Sequence, residues 1–213
     1  MGNDALSRRE LLYRCAATGV LTLAPTISLS AAAAAIDAAT THPLKPTDWQ
    51  QLGPFYKRRA PSQTQLRIAG DQGLPLAVHG HVFSASGEAL PQAQVEIWHA
   101  DHFGHYDLRG YRFRTSLLTD EGGGYQIDSI MPGRYTDRPF PHIHYIVTAP
   151  GHKVLTTQIY FATDPVYDGD PQRNFKRNPD LTGPELIRPV LLTVEAGKEI
   201  SGQVQFEIVL ERL

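Results

Sequence analysis

Apolar and polar positions alternate in short runs along most of the chain. Residues 76–83, Leu-Ala-Val-His-Gly-His-Val-Phe, alternate with a period of two and lead into a polar turn at 84–88. A second run covers 94–99, a third 124–130, a fourth 142–147 and a fifth 155–161. Residues 190–194 and 203–210 complete the set. A period of two places successive side chains on opposite faces of a strand, so each run predicts a strand with one face in a core. Gly and Pro separate the runs, as at Pro150-Gly151, and no amphipathic helical pattern links them. Short strands with Gly/Pro turns predict an all-β fold, an antiparallel β-sandwich. Residues 40–65 are Pro-rich and polar, so 36–70 read as an irregular arm and 71–213 as the sandwich domain. Residues 164–184, rich in Pro, Asp, Asn and Gly, predict a long surface loop, a length often tied to function. No internal repeat is found.

The first 35 residues do not fit this pattern. Arg8-Arg9 precede a weakly apolar run from Ala16, which closes on the small residues 31–35. Charge, apolar run and small residues in that order describe a cleavable export signal, and the paired arginine resembles the twin-arginine type that exports folded proteins. The run is short and broken by Thr22, Pro25 and Ser28, which argues against a membrane anchor. The expectation is a periplasmic or secreted protein with no stable anchor after cleavage. Cleavage near Ala35 removes Arg8, Arg9, Arg14, Asp4, Glu10 and Cys15.

Composition narrows the chemistry. The chain has 213 residues, 41% hydrophobic and 20% charged, an ordinary globular balance. Lys and Arg number 20 against 22 Asp and Glu, without the basic excess of a nucleic-acid binder. One cysteine excludes an internal disulfide and a four-thiolate metal site. Nine His and nine Tyr remain, so a metal here is held by imidazole, phenolate or carboxylate.

The sharpest local feature is His142-Ile143-His144. On a strand both imidazoles face one way and Ile143 faces the core. A bare pair of this kind is weakly specific on its own. Upstream, Pro132-Gly133-Arg134-Tyr135 is a turn ending in tyrosine. Trp98 to Tyr106 runs from a strand through a Gly104 loop to another tyrosine. Two phenolates and two imidazoles suit a hard trivalent ion such as Fe(III). Alternatively, both tyrosines are ordinary loop or core aromatics.

From Gly53 onward the chain resembles the intradiol ring-cleavage dioxygenases, a non-haem Fe(III) family. The resemblance rests on Gly53-Pro54-Phe55-Tyr56, on Val95-Glu96-Ile97-Trp98 leading to Gly104-His105-Tyr106, and on Thr119-Asp120 through Gly124-Tyr125 to Ile130-Met131-Pro132-Gly133-Arg134-Tyr135. Pro141-His142-Ile143-His144, Thr157-Gln158-Ile159-Tyr160-Phe161 and Phe206-Glu207-Ile208-Val209-Leu210 follow in family order. The resemblance implies Fe(III) ligation by Tyr106, Tyr135, His142 and His144. Tyr135 would be the axial ligand released by substrate, with His144 opposite it. It implies a small aromatic diol and O2 as partners, and Gln158 beside the reacting carbon. Tyr111, five residues on, competes with Tyr106 for its place; Tyr106 is preferred because it follows the Gly104 turn.

The chain also departs from the family. The family arginine stands three residues before the first histidine; here that position is Pro139, and Arg138 lies one residue earlier. The tryptophan of protocatechuate enzymes two residues after the axial tyrosine is replaced by Asp137. No helical dimerisation domain is expected between the cleavage site and the first strand. A homo-oligomer is compatible with the sequence. Three rival classes are a transthyretin-like binding module, a cupin-type metal site and a closed iron-storage site. The cupin reading lacks a Glu after His144, where Val147, Thr148 and Ala149 stand.

Overall fold

The computed structural model describes residues 43–135 and 138–213. The export signal read at 1–35 and the departure at Asp137 lie outside them. Among the described residues, ten strands form two five-stranded sheets. In chain order they are β1 (Pro75–Ser84), β2 (Gln94–Trp98), β3 (Arg114–Leu118), β4 (Gly124–Ile130), β5 (His142–Thr148), β6 (Leu155–Phe161), β7 (Ile187–Arg188), β8 (Leu191–Thr193), β9 (Ser201–Gln205) and β10 (Ile208–Leu210). The second sheet runs β3-β2-β5-β6-β7. In the first, β1 is the centre: β4 pairs along one edge, and β9 then β10 along the other, with β8 beyond β9.

The sandwich expected from the alternation is present, with two corrections. Its sheets are mixed rather than purely antiparallel, because β1 pairs in parallel with β9 and β10, and β6 with β7. The single strand expected at 203–210 is also split. The Phe206 N–H donates to the His79 carbonyl (2.9 Å), and the Glu207 carboxylate accepts from the His81 N–H (2.8 Å), so the chain turns between β9 and β10.

Two further strands were not expected. β3 has a polar run, Arg-Thr-Ser, because the arm covers that part of the sheet: Thr115 Oγ1 donates to the Gln63 carbonyl at 2.7 Å. β7 has two residues and no readable period. The loop at 164–184 carries two single 3-10 turns and a four-residue helix, α1 (Pro171–Asn174), whose first turn is capped by Asp170, and a third 3-10 turn, Pro184–Leu186, closes it.

Burial follows the alternation. Val95, Ile97, Ile143, Tyr145, Val147 and Ile159 of the second sheet are buried in one core cluster with Val78, Val82, Ile127, Val204 and Ile208 of the first. Tyr145 meets Tyr125 and Phe206 of the opposite sheet, with ring centroids 6.3 and 5.2 Å apart. His142 and His144 alternate with these residues, so they lie on the outer face of the second sheet. The arm and three long connections cover that face.

Candidate metal centre

Strand register assembles the first half of the site. His144 pairs with Gln158 on β6 and with Trp98 on β2, and His142 pairs with Tyr160. Cross-strand partners share a face, so one patch holds His142, His144, Gln158, Tyr160 and Trp98. The Trp98 indole stacks flat on the His144 imidazole, with centroids 4.7 Å apart and planes 3° from parallel. That contact fixes the ring plane. The Phe140 carbonyl, 2.6 Å from His142 Nδ1, fixes the other ring. A carbonyl only accepts, so His142 Nδ1 carries the proton and Nε2 presents its lone pair.

Loop chemistry brings in the tyrosines. The Asp101 carboxylate accepts from the N–H groups of Phe103 (2.9 Å) and His105 (2.8 Å), folding the loop that ends in Tyr106. Gly104 has φ +84° there, and a Cβ on it would lie 2.1 Å from the Arg134 carbonyl oxygen. A Cβ on Gly133 would lie 2.1 Å from the His102 carbonyl oxygen. The two loops therefore cross backbone to backbone, and only glycine allows the approach. The crossing sets the Tyr106 and Tyr135 rings edge to face, 5.8 Å apart. Buried Arg114 donates to the Phe55 carbonyl (2.7 Å), and the Phe55 ring stacks on Tyr106 at 4.4 Å.

The polar atoms converge closely. His142 Nε2 and His144 Nε2 are 3.1 Å apart, the Tyr106 hydroxyl is 3.1 Å from His144 Nε2, and it is 3.4 Å from His142 Nε2. A triangle of these sides has a circumradius of about 1.9 Å, so one point lies about 2 Å from all three atoms, a metal–ligand bond length. Tyr135 completes the group, its ring 5.8 Å from that of His142. His142 and His144 are 3% and 1% exposed, while Tyr135 is half-buried. Among the described residues no three His, Cys, Asp or Glu side chains form a metal-sized group; the groups that meet here are two imidazoles and a phenol.

Burial dominates the electrostatics. It pushes His142 down to about 4, helped by the Arg138 and His99 charges, and holds His144 well below the ordinary range with His142 and Arg138 adding to the effect. Both imidazoles are neutral near pH 7, the form that binds metal. Burial also pushes the Tyr106 phenol up, and the neighbouring Tyr135 adds to the rise. Without a cation this phenol keeps its proton; a trivalent ion at the shared point would favour the phenolate. Neutral nitrogens, crowded lone pairs and a suitable spacing fit such an ion.

The structure places the remaining candidates plainly. Tyr111 points away and donates to the Arg58 carbonyl (3.0 Å), so Tyr106 alone of the two meets the histidines. Arg138 reaches the patch despite its offset: Nη2 donates to Gln158 Oε1 and to the Tyr160 hydroxyl, both at 3.0 Å. Gln158 is fully buried, and its Nε2 donates to the Gln51 carbonyl at 2.6 Å. Sequence reasoning missed the contacts of Trp98, Tyr160 and Arg114. Trp98 and Tyr160 stood within recognised runs and are legible once β2 and β6 are paired with β5. Arg114 carried no local signal.

Known proteins share the sequence family and the fold. A family model described as a dioxygenase matches residues 52–212. Catechol 1,2-dioxygenase of Acinetobacter baylyi is 38% identical over 146 residues, covering 54% of this chain and 47% of that protein. Hydroxyquinol 1,2-dioxygenase of Nocardioides simplex is 31% identical over 193 residues, covering 77% of this chain and 64% of its own. The chain thus spans from about half to under two thirds of these relatives' length. Among solved structures, the dioxygenase domain of a dioxygenase carbohydrate-binding fusion from Streptomyces sp. SirexAA-E superposes with a TM-score of 0.65 at 31% identity, covering 79% of this chain and 100% of that one. Catechol 1,2-dioxygenase from Acinetobacter sp. ADP1 gives 0.66 at 28% identity, covering 87% and 67%. With the family model matched over most of its length and its motifs gathered at one site, the chain belongs to the intradiol ring-cleavage dioxygenases.

Proposed function

We propose that the protein is an Fe(III) intradiol dioxygenase that opens a catechol-type ring with O2 to a muconate-type diacid. The observation that carries this reading is the convergence of His142, His144 and Tyr106 on one point, with Tyr135 beside them. Tyr106, Tyr135, His142 and His144 would hold the iron. Relatives named for catechol, chlorocatechol and hydroxyquinol support the substrate class. Bound Fe(III) would supply Lewis-acid activation of the diol toward O2.

The chain's own groups do the rest. Tyr135 and Tyr106 are both half-buried; with iron bound, the Tyr135 oxygen, as phenolate, would accept a proton as the diol enters, which is general-base work. Tyr106 is packed under Phe55 and stays in place. The Arg138 guanidinium, anchored on Gln158 and Tyr160, stabilises negative charge as the ring loses aromaticity. Gln158 is satisfied at both ends of its amide, so it orients without moving. The Gly53 segment lies against His144 and walls the site from water.

Export belongs to the same proposal, supported by Arg8-Arg9, the apolar run and the small residues 31–35. Incubation of iron-loaded protein with catechol and O2 tests the reaction: a muconate-type diacid should form with equimolar O2 uptake. An extradiol semialdehyde, or no product from any simple catechol, would refute it.

A further inference from the structure

The long loop at 164–184 is organised from within and delivers a carboxylate to the site. Tyr167 is buried, and its hydroxyl accepts from Asn178 Nδ2 at 3.1 Å. Asn178, 1% exposed, accepts the Asp180 N–H on its Oδ1 at 3.0 Å. Two residues past that anchor, the Asp180 side chain meets the arginine of the site: Oδ2 lies 2.9 Å from Arg138 Nε. This is a charge contact off the hydrogen-bond axis. Asp180 Oδ1 also accepts from Gln51 Nε2 at 3.2 Å.

Arg138 is therefore engaged at two edges, by hydrogen bonds at one and by charge at the other. Nη2 is fixed by Gln158 and Tyr160 on β6, and the Nε edge faces the loop carboxylate. The arginine and aspartate side chains are 12% and 27% exposed, so their charges are only partly screened. A guanidinium on a long stem has many rotamers, and one hydrogen-bonded edge leaves rotation about the last bonds; an opposite charge at the second edge restricts it. The need is specific to this chain, whose arginine stands four residues before His142 rather than three.

We propose that Asp180 is a positioning residue: it holds the Arg138 guanidinium over the site and offsets the one-residue displacement of that arginine. The inference rests on the ring-cleavage reading above. The Asp180 carboxylate meets Arg138 and Gln51 and none of the four metal-ligand candidates, so its effect passes through Arg138. It also gives the long loop a role in the reaction.

Asp180→Asn keeps the shape and the contact to Gln51 but removes the charge. The expected result is a fall in kcat of about tenfold, less than the loss for removing a charge-stabilising donor outright. KM for catechol should move by less than about threefold, because substrate binding itself is not the target. Iron content and the visible tyrosinate band should match the wild type, and Asp180→Glu should recover part of kcat. In an Arg138→Gln background, Asp180→Asn should cost nothing further, since coupled residues are not additive. An unchanged kcat in Asp180→Asn, or an additive loss in the double variant, overturns the inference. So does loss of iron or early melting in both Asp180 variants, which would assign the carboxylate to loop stability. A wild type that binds iron but opens no ring overturns the ring-cleavage reading and this inference with it; an active wild type with an equally active Asp180→Asn overturns the inference alone.

Discussion

Three heteroatoms crowded within 3.4 Å of one another need protons or a cation between them. His142 Nδ1 already holds its proton against the Phe140 carbonyl, so the shared space is rich in lone pairs. A cation at that point would resolve the crowding. Tyr106→Phe should therefore shift or weaken the visible absorption of the iron-loaded protein and lower its iron affinity by about 10-fold or more. Tyr111→Phe should leave both unchanged, because its hydroxyl contacts only the Arg58 carbonyl. Absorption spectra of the two variants decide the assignment.

A second residue-scale prediction concerns His99. It is fully buried, with Nδ1 on the Ala100 carbonyl and Nε2 on the Ser129 hydroxyl, both at 2.7 Å. Burial first, with the nearby Arg114 and Arg112 charges, lowers it to about 4. Between pH 4 and 6.5 the unfolded chain binds this proton and the folded chain does not. Stability should thus rise with pH across that window, by at most about 3 kcal/mol from His99, and level off above it. His99→Gln should flatten the slope in denaturant titrations at pH 5 and pH 7.

At the scale of elements, the site depends on one strand and one loop crossing. Ile143 is fully buried between His142 and His144, so Ile143→Ala should cost roughly 2–5 kcal/mol and loosen β5 at the same time. Gly104→Ala places a Cβ against the Arg134 carbonyl at a positive φ. It should destabilise by about 2 kcal/mol or more and lower iron occupancy, as read by thermal melting and metal analysis. Ile143→Ala and Gly104→Ala separate core packing from loop crossing. β5 was legible because its alternation shows on both faces: apolar Ile143, Tyr145 and Val147 inward, histidines outward. β3 was not, because Arg114, Thr115 and Ser116 are polar yet covered by the arm. The parallel pairing of β1 with β9 and β10 was illegible for a different reason. A strand's alternation specifies which face is buried, not which neighbour it takes.

At the scale of the molecule, the sandwich is a platform and its outer face is the working surface. The core between the sheets carries no donor of the site, while the arm, the 99–113 loop, the 131–140 connection and the 164–184 loop each contribute to the covered face. The ligand candidates were readable because each belongs to a short motif. Their neighbours Arg114, Tyr160 and Asp180 act through contacts to residues 20 or more positions away, which no local pattern encodes. Among the described residues no helix is long and apolar enough to cross a membrane.

If Tyr106, Tyr135, His142 and His144 hold Fe(III) and present it to a diol, the visible spectrum of the purified protein after iron loading reports it, before and after anaerobic addition of catechol. About one iron per chain, a red-brown tyrosinate-to-iron band, and a shift of that band to longer wavelength on catechol addition are expected. A colourless protein that retains no iron, or a band that catechol leaves unchanged, would contradict this assignment.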